Sequence, residues 1–210
     1  SAASDVYKRQ TIIMVMALKP IYDLAKIKRV IVSTYQAVSG AGKEGIDELD
    51  AQVREHREGR EMTANILPSA SAEKHYPIAF NLIPQIDVFC DNLYTKEEMK
   101  MVNETKKIME DYEMRITATT IRVPVYRSHS ESVNIELEKE VDLGAMREAL
   151  AKFPGVTVQD DPSKQEYPMP LYTSEKDDVY VGRLRRDESC EKSYNMWVVG
   201  DQIRKGAALN

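Results

Sequence analysis

From Ile12 to Leu24, apolar residues recur at helical spacing, and Ile13, Met16, Leu18, Ile21 and Leu24 predict a helix buried over much of its circumference. The period then changes. Residues 30–36, VIVSTYQ, open with three β-branched residues in succession and predict a buried strand. It runs into SGAGKEG, where Gly40, Gly42 and Gly45 permit tight turns and close approach of a ligand. A polar helix is expected over 44–58, and residues 59–77, which lack a period, read as a long loop of the kind that is often functional in a compact domain. IDVFC (86–90) reads as a short strand. Thr95 then precedes Glu98 by three residues, the signature of a capping box, ahead of a helix carrying Met101, Val102, Ile108 and Met109.

Two long strands come next. In RITATTIRV (115–123), Ile116, Ala118, Thr120 and Arg122 share a face. In SVNIELEKE (132–140), Val133, Ile135 and Leu137 alternate with Asn134, Glu136 and Glu138, as in an antiparallel strand with one wet face. Asp142 is placed to cap a short helix striped by Leu143, Met146, Leu150 and Phe153 and stopped by Pro154 and Gly155. GVTVQD and DVYVGRLRR read as strands around a loop holding Pro162, Pro168 and Pro170, and YNMWVVGDQIRKGAALN as a strand passing into a helix. The elements add up to one α+β domain, with helices covering one face of a mainly antiparallel sheet. Residues 1–10, SAASDVYKRQ, carry no period and read as a tail foreign to a domain that spans 11–210.

Composition narrows the function classes. The 210 residues suffice for one core without staples, and a net charge of -5 offers no basic surface for nucleic acid. The apolar run TIIMVMAL has eight residues, well short of the ~20 that cross a bilayer, so no membrane partner is expected. Cys90 and Cys190 lack CxxC or Cys/His ligand spacing, which indicates neither a metal site nor a disulfide. A reducing cytoplasm is the simplest compartment, with a plastid as the alternative.

A few residues could carry chemistry. His129 is either a hydrogen-bonded strand histidine or a general acid/base, since imidazole titrates nearest to neutral pH. Arg122 shares a strand face with Ile116 and Ala118, where a free charge is costly, so it needs an anionic partner; a guanidinium suits a carboxylate. Glu97 and Lys100 stand three apart on one helix face, as a surface ion pair or as paired heads for a zwitterionic or phosphorylated amino acid. Gln36 ends a buried strand and is either a positioning amide or a satisfied core-edge residue. The SGAG turn lacks GxGxxG spacing and alone says little about phosphate or nicotinamide.

Taken together, VSTYQAVSGAG, EEMKMVNETKKIM, IRVPVYRSHSESV and VVGDQIRKGAA resemble the catalytic and dimerisation half of the aspartate-β-semialdehyde dehydrogenase family, in that family's order and at about its spacing. The resemblance implies a glyceraldehyde-3-phosphate dehydrogenase-like C-terminal domain and NADPH-dependent reductive dephosphorylation of aspartyl-4-phosphate to aspartate semialdehyde, in lysine, methionine, threonine and isoleucine biosynthesis. It implies His129 as acid/base partner of a cysteine, Arg122 on the substrate α-carboxylate, Glu97 on the amino group, Lys100 on phosphate and Gln36 near the reacting carbon. Ser39, Gly40 and Gln202 would touch the NADP nicotinamide side, in a homodimer or homotetramer. One departure stands out. The family's PNCST turn precedes the first apolar helix, and here Arg9 falls where the cysteine would be. The chain is therefore expected to be part of a longer enzyme, inactive alone, with a noncatalytic dimerisation domain or a related acyl-phosphate reductase as the alternative.

Overall fold

The computed structural model describes residues 7–201. Eleven principal elements follow in chain order: α1 (Arg9–Tyr22), β1 (Ile27–Gln36), α2 (Lys43–Arg57), α3 (Lys96–Ile108), β2 (Arg115–Arg122), β3 (His129–Leu137), α4 (Leu143–Lys152), β4 (Val156–Val158), α5 (Pro170–Thr173), β5 (Val179–Arg186) and β6 (Ser193–Gly200), the last closing the described chain. The six strands form one sheet in the order β2-β1-β3-β6-β5-β4. Three pairings are antiparallel (β1–β3, β3–β6, β5–β6), while β1–β2 and β4–β5 are parallel, so the sheet is mixed. The parallel pairs could not be read from alternation, because each needs a crossover and the partner across a crossover leaves no local trace.

One face of the sheet holds the core. Val30, Val32, Ala118, Val133, Ile135, Leu137, Met196 and Val198 pack there against Ile13, Met14, Ala17, Leu18 and Ile21 of α1 and Met101 and Val102 of α3. Other residues of β1, β3 and β6 face the opposite way; Ser132 is exposed, Ile31, Tyr35, Asn134 and Trp197 are half-buried, and the Tyr35 and Trp197 rings lie 5.6 Å apart. The capping box of α3 forms as the sequence predicts, with Thr95 accepting from the Glu98 N–H and Glu98 Oε1 accepting from the Thr95 N–H. Asp142 caps α4 through the Ala145 N–H.

Two sequence expectations change. IDVFC forms no strand: Asp87 and Leu93 adopt positive φ (69° and 73°), the chain bends, and only an isolated bridge between Phe89 and Thr95 remains. The first helix does not start after the tail but takes in Arg9 and Gln10, with the Ile12 N–H already bonded to the Lys8 carbonyl and Gln10 buried. A short polar prefix without period gave no sign of this, because its burial comes from elements far away in sequence. The helix expected after β6 lies outside the described residues.

Candidate functional site

The last residues of β1 and β2, the first of β3 and the last of β6 meet at one end of the sheet. Gln36 pairs with Arg122 across the parallel ladder, and His129 pairs with Gly200 across the antiparallel one. Directly behind lies a second row, Thr120, Thr34, Glu131 and Val198, also in register. Strand alternation aims both rows at the core face, so the sheet ends in two polar rungs where apolar rungs would otherwise continue.

The front row opens on a cavity of ≈ 370 Å³ lined by Tyr7, Lys8, Arg9, Gln10, Gln36, Gly40, Glu97, Arg122 and His129. Arg122 is 5% exposed; its Nη1 donates to the Ala37 carbonyl at 2.8 Å, and its Nε finds no protein acceptor among the described residues. Burial pulls its pKa down to about 10, against the pull of Glu97. Glu97, delivered by the first turn of α3, is held above the ordinary carboxylate range by burial, with Lys8, Arg122, Gln10 and Lys100 acting the other way. Lys8 Nζ lies 3.8 Å from Glu97 Oε1, close enough for charge but too long for a hydrogen bond. The Gln36 amide donates to Thr34 Oγ1 at 3.0 Å.

His129 is 2% exposed, and its Nδ1 accepts the Ala37 N–H at 2.9 Å. That donor fixes the tautomer: the neutral ring carries its hydrogen on Nε2 and is a hydrogen-bond donor there. Burial, then Arg122 and Arg9, lower its pKa to about 3, so the value near neutrality expected from an unperturbed imidazole does not hold.

Five residues anticipated from sequence therefore converge: Gln36, Gly40, Glu97, Arg122 and His129. Ser39 is buried in the short turn Val38–Ala41 rather than on the cavity wall. Lys100 is exposed, one turn beyond Glu97, and reaches the site only through its charge on that carboxylate. Gln202 lies outside the described residues. A Cβ on Gly40 would stand 2.7 Å from Arg122 Nη1, so a side chain there would have to displace the guanidinium. Sequence reasoning missed Lys8, Arg9 and Gln10, dismissed with the tail, and Glu131, hidden in a strand of alternating residues. The signal available for Glu131 was its place two residues after His129, on the same face. Among the described residues no cluster of three or more His, Cys, Asp or Glu could hold a metal, and Cys90 and Cys190 are free and lie outside the cavity.

The semialdehyde dehydrogenase dimerisation-domain model matches residues 18–205. This chain belongs to the semialdehyde dehydrogenase family. Aspartate-semialdehyde dehydrogenase of Aquifex aeolicus is 53% identical over 200 residues, covering 95% of this chain and 57% of that protein; the Bacillus subtilis enzyme is 50% identical over 201 residues, covering 95% and 58%. Aspartate semialdehyde dehydrogenase II of Vibrio cholerae superposes with a TM-score of 0.88 at 42% identity, covering 96% of this chain and 57% of that one, and the same enzyme has been solved complexed with ASA. The chain thus spans somewhat over half the length of its semialdehyde dehydrogenase relatives. No helix among its described residues is long and apolar enough to cross a membrane.

Proposed function

We propose that this chain is the substrate-binding and dimerisation part of an aspartate-semialdehyde dehydrogenase, which reduces aspartyl-4-phosphate with NADPH and releases phosphate. The observation carrying this reading is the opposition, in one cavity, of the buried Arg122 guanidinium, with an Nε that has no acceptor among the described residues, to the buried Glu97 carboxylate. That pair suits an α-amino acid: Arg122 takes the carboxylate in a two-pronged contact, and Glu97, ionised by the arriving ammonium, takes the amino group. Gln36, its Nε2 engaged by Thr34, keeps Oε1 for the ligand. His129 donates from Nε2 to the oxygen on which charge develops at the reacting carbon. Lys100, exposed outside the cavity wall one turn beyond Glu97, is the cation left for the phosphate.

The Ser39–Gly40 turn fits the nicotinamide end of NADP, because Gly40 is exposed on the cavity and a Cβ built there would lie 3.5 Å from His129 Cε1. The cofactor supplies the hydride; Gly40 leaves room for its ring, and Gln202 is the further contact that the resemblance suggests. The second sheet face of β1, β3 and β6, where Ser132 is exposed and Tyr35 and Trp197 are half-buried, is offered to a second copy, in a dimer or a pair of dimers. The localisation that suits this biosynthetic role is the cytoplasm.

NADP+ reduction with aspartate semialdehyde and phosphate tests the reading. The chain alone is expected to be silent, having no thiol on the cavity wall. Joined to the N-terminal part of the Aquifex aeolicus relative, with cysteine at position 9, it is expected to turn over. A joined protein that folds and dimerises yet stays silent would support the noncatalytic dimerisation domain instead.

A further inference from the structure

His129 opens β3, and the residue before it is in an unusual state. Ser128 has φ 74°, a conformation that residues other than glycine, Asn and Asp rarely adopt, and is 1% exposed. A backbone held there needs surroundings that impose it. Part of those surroundings comes from α5, some 45 residues later. The Thr173 hydroxyl, itself buried, donates to Ser128 Oγ at 3.0 Å. A second tie lies next door: Arg127 donates to Glu175 Oε1 at 2.9 Å and Asp201 Oδ2 at 3.0 Å, fastening the turn after α5 to the end of β6. The same 123–128 loop receives the Val38 and Ser39 N–H groups on its Val125 and Tyr126 carbonyls, so it also carries the segment whose Ala37 N–H holds the imidazole.

We propose that Thr173 is a positioning residue for His129: its hydrogen bond to Ser128 keeps the backbone turn that presents the imidazole to the Ala37 N–H and to the cavity. This rests on His129 belonging to the site, but its test reads the ring itself and not turnover, so failure of the enzyme assignment would leave it standing.

The chain has three histidines, which makes the ring observable with internal controls. His56 is exposed on α2 and His75 half-buried in the following loop. Thr173→Val keeps the shape and removes the hydroxyl. Diethyl pyrocarbonate modification of His129 is expected to accelerate at least several-fold, and its ring-nitrogen NMR signals to lose the pattern of an Nδ1 acceptor, while His56 and His75 stay as in the parent. Thr173→Ser is expected to restore the parent behaviour. Ser128→Ala, which removes the acceptor and leaves α5 untouched, is expected to loosen the ring equally, with no further effect on adding Thr173→Val. If Thr173→Val does not fold, Ser128→Ala alone carries the same expectation. An unchanged His129 in whichever of these variants folds, or a Thr173→Ser variant that behaves like the valine, would overturn the proposal.

Discussion

Glu131 and His129 stand two residues apart on one strand face, and the same cause drives them in opposite directions. Burial disfavours charge, so the imidazole is pushed down to about 3 and the carboxyl well above the usual range. Glu131 is 0% exposed and neither carboxyl oxygen has a hydrogen-bond partner among the described residues. An unfolded glutamate ionises near pH ~4.3. Above that pH the unfolded chain has lost a proton that the folded one keeps, so stability falls as pH rises toward the folded value. Glu131→Gln removes this ionisation; its denaturant midpoint is expected to change less than the parent's between pH 5 and pH 8, and its stability at pH 8 to exceed the parent's by about 1–3 kcal/mol. At the cavity, Arg122→Lys keeps a charge and loses the planar fork. Titration calorimetry of the joined enzyme with aspartate semialdehyde is expected to show binding weaker by roughly 10- to 100-fold, equivalent to about 1.5–3 kcal/mol.

At the scale of elements, α3 brings the carboxylate to the site, because its first turn holds both Glu97 and the cap. Glu98 Oε1 closes the capping box while its Oε2 accepts the Thr120 N–H at 2.8 Å, tying the helix start to β2 one row behind Arg122. Thr95→Ala is expected to cost about 1 kcal/mol in a denaturant titration. Glu98→Ala is expected to cost more, about 2–3 kcal/mol, because it leaves two buried backbone donors unmet, at Thr95 and at Thr120. The contrast separates what local sequence encodes from what it does not. The Thr95–Glu98 box was legible because both partners lie within one turn. The bond to Thr120, 22 residues on, was not, because nothing local marks which strand edge a spare carboxylate oxygen will meet.

For the whole molecule, the two buried groups bound stability from both sides. An unfolded histidine binds a proton below about 6.5, whereas folded His129 resists until about 3, so stability declines as pH falls through that window. His129→Gln is expected to flatten this acid limb by a few kcal/mol, as seen in thermal melts between pH 4 and pH 7. By itself the sequence determined the strand faces, the capped helices and the residue types of the site, because alternation, capping and side-chain chemistry are properties of neighbours in the chain. It also placed Arg122 on a buried face, since its strand partners Ile116 and Ala118 stood in plain view. Only the tertiary structure decided that β1 and β2 run parallel, that Arg9 and Gln10 belong to the first helix and wall the cavity, and that Thr173 braces Ser128. It also left Lys100 outside the cavity and gave Glu131 and His129 their displaced titrations. Those outcomes depend on which distant segments exclude water from a given atom, and desolvation is fixed by packing across the chain.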